Sequence, residues 1–133
     1  MKRVLVAYDG EAPAQRALAQ AADLAAAFGS DIGVVSVTPW RRGRMPVDPW
    51  DDAQRHKDAL DDAATWLEGR GLAARLYSPA GDPARSIREI ADRDGFDTIV
   101  VGSRGLGPIG RWMQGSLSAQ LATDADVTVV VAR

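Results

Sequence analysis

Short apolar runs alternate with amphipathic segments along the whole of this 133-residue chain, and few architectures accommodate that order. Val4-Leu5-Val6-Ala7-Tyr8 is apolar throughout, as expected for a strand covered on both faces. Pro13 then stands at a first helical position. Ala14, Ala17, Leu18, Ala21, Ala25 and Phe28 recur at helical spacing until Gly29 ends the stripe. Asp31 to Val37 reads as the second strand, and Thr38 to Pro49, rich in proline and arginine, as a loop. Trp50 to Glu68 is the second helix. Asp51 and Asp52 stand near its positive end, and Leu60, Ala63, Ala64 and Leu67 form its apolar stripe. Ala73 to Tyr77 is a third, weaker strand. Asp82-Pro83 caps and starts a helix with Ile87, Ile90 and Ala91 inward. Thr98 to Val101 is the fourth strand, Leu117 and Leu121 mark a fourth helix, and Val127 to Val131 is the last strand. The pattern predicts one α/β domain over residues 1–133, a five-stranded parallel sheet with helices on both faces. In such sheets a ligand sits beyond the carboxyl ends of the strands, where the strand order reverses.

Composition narrows the function classes. A net charge of −2 argues against non-specific binding to nucleic acid or to an acidic membrane. With no cysteine and one histidine there is no disulfide framework, no thiolate nucleophile and no multi-histidine metal site. The N-terminal apolar run is too short for a signal peptide, and no stretch approaches a membrane span, so a cytoplasmic location is expected.

The fourth strand feeds directly into Gly102-Ser103-Arg104-Gly105, which is followed after nine residues by Gly115-Ser116-Leu117-Ser118. Strand, glycine loop and helix N-terminus together make a place for phosphates. Glycine lets an anion approach the main chain, and the helix presents unpaired N–H groups and the positive end of its dipole. Arg104 and Arg111 could add charge-assisted bonds, and the Ser116 and Ser118 hydroxyls could donate. The alternative is a glycine-rich connection that only turns the chain. It is not a Walker A loop, since no lysine follows any glycine, and the first strand–helix turn, Asp9-Gly10-Glu11-Ala12-Pro13, is not the dinucleotide fingerprint. Asp9 could accept from a ribose hydroxyl or orient a metal-bound water, or could serve only its own turn. Arg41, Arg42 and Arg44 read as solvated surface, His56 as solvated, and Trp66 as exposed or at a contact. No Gly-x-Ser-x-Gly elbow is present.

These segments together resemble the universal stress protein family over essentially the whole chain. The matching features are Val4 to Gly10, Gly81-Asp82-Pro83 with Ile87, Asp97 to Gly105, and the closing Val127 to Arg133. Above all, Gly102-x-x-Gly105, nine residues and Gly115-Ser116 is similar to the family's nucleotide-binding pattern. The resemblance implies a Rossmann-like sheet of the adenine nucleotide α-hydrolase type, with strand order 3-2-1-4-5. It implies ATP as ligand, with Mg or Mn carried on the phosphates. Ala7, Tyr8 and Asp9 would contact the nucleoside, and Val37 and Val101 the adenine. Gly102, Arg104, Gly105, Gly115, Ser116, Leu117 and Ser118 would hold the phosphates. It also implies a homodimer through the last strand, Val127 to Val131. Two positions depart from the family: Glu11 where serine is frequent, and Thr128 where proline is usual. The expectation is an ATP-binding regulatory protein in the stress response, not an enzyme beyond weak hydrolysis. The alternatives are a slow ATPase or nucleotidyl-transfer enzyme and an interaction module without nucleotide.

Overall fold

The apolar runs form parallel strands, and the striped segments pack on them as helices. The structure, a computed structural model, describes residues 1–39, 49–102 and 127–132. Along the chain come β1 (Arg3–Ala7), α1 (Ala12–Phe28), β2 (Asp31–Val35), β3 (Thr38–Pro39), α2 (Pro49–Glu68), β4 (Ala74–Tyr77), β5 (Ala80–Gly81), α3 (Pro83–Asp94), β6 (Thr98–Gly102) and β7 (Thr128–Ala132). The main sheet has five strands in the order β4-β2-β1-β6-β7, all neighbours parallel. Counted among themselves, these five follow the expected 3-2-1-4-5 order.

The order differs in detail through a second small sheet, β3 with β5: β3 falls where the sequence reads as a loop, and β5 between the third strand and the Asp82 helix start. Val35 lies opposite Tyr77, and Thr38 opposite Ala80, so both ladders share one register. They are separate because residue 79 is proline and has no N–H for a rung between them.

Side chains alternate across the sheet with the period of two that strands impose. Val4, Val6 and Tyr8 face α1 and α2, in a cluster with Leu18, Ile32, Leu60 and Leu67. Leu5 and Ala7 face α3, in a cluster with Val35, Ile87, Ile90 and Ile99. β6 is buried at every position, as a central strand with two covered faces must be. α3 starts as expected: the Asp82 side chain accepts from Arg85 N at 3.0 Å, and Pro83 follows it. β7 forms the far edge, with Val131 42% exposed, on the strand where the resemblance puts a subunit contact.

Asp97 pins the amino ends of three strands. Its carboxylate accepts from Lys2 N at 2.8 Å, from Arg3 N at 3.4 Å and from Thr98 Oγ1 at 2.9 Å. Its own N–H donates to Arg3 O, and its carbonyl accepts from Thr128 N. Burial alone would raise its pKa; the amides of Lys2 and Arg3 and the Thr98 hydroxyl outweigh burial and hold the carboxyl below its usual range. A carboxyl depressed in the folded state stabilises above its unfolded pKa, and that contribution is lost as pH falls through the folded value. Asp97→Asn should therefore lower Tm at pH 7. The difference from the native protein should shrink as pH falls below about 4, which thermal melts across pH would record. A constant difference at all pH values would remove the carboxylate from acid unfolding.

Candidate functional site

The strand order reverses between β1 and β6, so the carboxyl ends of these two strands, at Ala7 and Gly102, stand side by side where sheets of this kind open a crevice. β1 pairs with β6 so that Val6 lies opposite Val100; continued, this register sets Tyr8 level with Gly102. Past β1 the chain stays extended for one residue, with Tyr8 N donating to Val35 O at 2.8 Å. It then turns at Asp9-Gly10. Asp9 Oδ1 accepts from Glu11 N at 2.9 Å, a turn closed by the side chain. The local role weighed for Asp9 is thus present, and it occupies one carboxylate oxygen. Gly10 takes φ of 85°, a left-handed conformation that suits glycine. Glu11 occupies the N-cap position of α1 without a side-chain cap bond, and its side chain is exposed.

Gly102 has a different neighbour from the one its sequence position suggests. A Cβ at Gly102 would stand 2.6 Å from Pro13 O and 2.7 Å from Pro13 C. The first turn of α1 therefore crosses the end of β6 at backbone contact, and only glycine admits it.

Ala7, Tyr8, Asp9, Val37, Val101 and Gly102 come together at this end of the sheet. Their side chains divide between its faces. Ala7, Val37 and Val101 belong to the α3-side core, with Val101 fully buried. The Tyr8 ring belongs to the α1/α2-side core. Burial first, then the charges of Asp62 and Asp9, raise the Tyr8 pKa, so the phenol stays protonated near neutral pH. What Tyr8 and Val101 can offer a ligand is main chain. Arg104, Gly105, Gly115, Ser116, Leu117 and Ser118, with the fourth helix, lie outside the described residues, as do Arg41, Arg42 and Arg44.

One expectation is corrected. His56 is not solvated but 8% exposed, and its Nδ1 lies 2.5 Å from Oγ of the buried Ser36. The signal was present in the sequence: His56, Leu60, Ala63 and Leu67 fall at steps of four, three and four, on one helical stripe. Trp66 is exposed as expected, with the Arg70 guanidinium 4.0 Å over its ring. Among the described residues no group of three or more His, Cys, Asp or Glu could hold a metal ion. Nor is any helix among them long and apolar enough to cross a membrane.

A sequence model of the universal stress protein family matches residues 1–133. The chain belongs to the universal stress protein family. The "universal stress protein in QAH/OAS sulfhydrylase 3′ region" of Thermus aquaticus is 30% identical over 136 residues, covering 99% of this chain and 98% of that relative. The universal stress protein UspA from Lactobacillus plantarum superposes with a TM-score of 0.83 at 23% identity, covering 99% of this chain and 97% of its own. A universal stress protein from Archaeoglobus fulgidus, solved in complex with dAMP, superposes with a TM-score of 0.75 at 24% identity, covering 100% of this chain and 98% of its own. The universal stress protein fold accounts for the strand order and for its reversal between β1 and β6.

Proposed function

We propose that this protein binds an adenine nucleotide in the crevice between β1 and β6 and acts as a nucleotide-dependent regulator in the stress response, with at most weak hydrolysis. The observation that carries the reading is the reversal of strand order at the Asp9 turn and Gly102. Related structures solved with cAMP, dAMP and AMP support the ligand class. In this reading the free oxygen of the Asp9 carboxylate accepts from the ribose or the base. Ala7, Tyr8, Val37 and Val101 bound the nucleoside. Gly102, Arg104, Gly105, Gly115, Ser116, Leu117 and Ser118 hold the phosphates. ATP is the expected ligand, with magnesium or manganese carried on its phosphates.

Melting with ATP, AMP, GTP and magnesium alone tests this. At about 100 times its dissociation constant a ligand adds about 2.7 kcal/mol, a shift of several degrees. ATP and AMP should produce it, and GTP and magnesium should not. Asp9→Ala should cut the adenine-nucleotide affinity by at least about tenfold, since it removes a hydrogen bond to a charged acceptor. No shift with any nucleotide, in protein free of bound nucleotide from purification, would overturn the reading. Steady phosphate release well above background, lost in Asp9→Ala, would favour the slow ATPase instead.

A further inference from the structure

Ser36 and His56 form a buried polar pair beside the nucleoside end of the crevice. Ser36 is 1% exposed and His56 8%, and they meet between the sheet and α2. Such a pair is costly to desolvate unless its geometry is used or its bonds are complete.

Its position is a gap in the hydrogen-bond ladder. Ser36 N donates to Tyr77 O at 3.0 Å, and Thr38 N donates to Pro79 O at 2.9 Å. The return rung between them would run from residue 79 to the Ser36 carbonyl, and proline has no N–H to donate. The Ser36-Val37 segment therefore has fewer ties to its neighbour than the strands on either side. The imidazole holds this segment from the other direction, through the Ser36 hydroxyl. Val35 O accepts from Tyr8 N, so by strand alternation the peptide groups of Val37 also face the β1 side. There β1 has already turned away at Gly10, which leaves those groups at the crevice.

We propose that His56 is a positioning residue for the nucleoside subsite: through Ser36 it fixes the Val37 peptide at the crevice, without touching the ligand. This rests on the nucleotide reading above. The base half of a nucleotide senses the brace, and the sugar-phosphate half does not.

The test compares affinities for AMP and for ribose 5-phosphate in the full chain and its variants. His56→Ala and Ser36→Ala should each weaken AMP about tenfold, the worth of one buried hydrogen bond, and leave ribose 5-phosphate within about twofold. The double variant should be no weaker than His56→Ala alone, because the Ser36–His56 bond is already gone there. His56→Asn, whose side-chain amide can stand where Nδ1 stands, should recover most of the AMP affinity. If His56→Ala does not fold, Ser36→Ala and His56→Asn carry the comparison. Equal losses for both ligands would make the pair merely structural and overturn the proposal, as would unchanged AMP affinity. Native protein that binds neither ligand would overturn the nucleotide reading and this proposal together, an outcome distinct from native binding with unaffected variants.

Discussion

Gly102→Ala is expected to destabilise the protein by about 3 kcal/mol, the upper range for overpacking a closed contact. The new methyl would lie 2.6 Å from Pro13 O, 2.7 Å from Pro13 C and 3.0 Å from Pro13 Cβ. Two of these atoms are main chain, so no side-chain rotation relieves the contact; the start of α1 must move off β6. That movement also affects the site, because the same few residues carry the Asp9 turn and the bond from Gln15 Nε2 to Gly10 O. Adenine-nucleotide affinity should fall with stability, even under conditions where the variant is fully folded. Urea unfolding gives the first quantity and titration calorimetry the second. A loss under about 0.5 kcal/mol would mean that α1 rides freely over the strand end, and the close contact would not explain the glycine. Changing Pro13 to alanine in the variant should recover little, because the backbone contacts remain.

Gly102 also illustrates what could be read from the sequence and what could not. The alternation of Val4 to Tyr8, Asp31 to Val37 and Thr98 to Val101 with striped helices gave strands and helices near their observed bounds, because burial on two faces leaves a continuous apolar run. The Asp82-Pro83 helix start was legible for a local reason, a cap and a fixed φ. Gly102 was legible as a glycine needed for close approach, but not as one approached by Pro13, 89 positions earlier, since that contact exists only once α1 lies on β6. Val37 reads as part of the second strand, but Pro79, on a different segment, has no N–H for the next rung and ends that ladder. A lone histidine among Arg55, Lys57 and Asp58 reads as polar and solvated, while the step of four from His56 to Leu60 puts it on the buried stripe. Pairwise facts between distant segments were hidden, and periodic facts within a segment were visible.

Phe96→Ala should cost about 4 kcal/mol, the largest effect expected from any single truncation of the α3-side core. Phe96 is 4% exposed and precedes β6. Its ring and that of Tyr77 form a T-shaped pair, with centroids 5.9 Å apart and planes at 83°. The Arg3 guanidinium lies 5.1 Å from its centre, so three segments lose contacts at once. Underneath is Gly33 of β2, where a Cβ would come within 2.7 Å of Phe96 Cζ and 3.2 Å of Leu5 Cδ1. The ring and the glycine are thus fitted to one another, and their substitutions should couple. Gly33→Ala should destabilise the native protein, because the ring is packed in on all sides. In Phe96→Ala the same change should be neutral or mildly stabilising, since the added methyl fills part of the cavity and strands disfavour glycine. Denaturant unfolding of the four proteins measures the coupling. Additive effects would show that the ring is free to move aside and that Gly33 is needed for another reason. Gly102 closes β6 at its opposite end, so nucleotide affinity in fully folded Phe96→Ala should stay close to native, whereas Gly102→Ala should lose both stability and affinity.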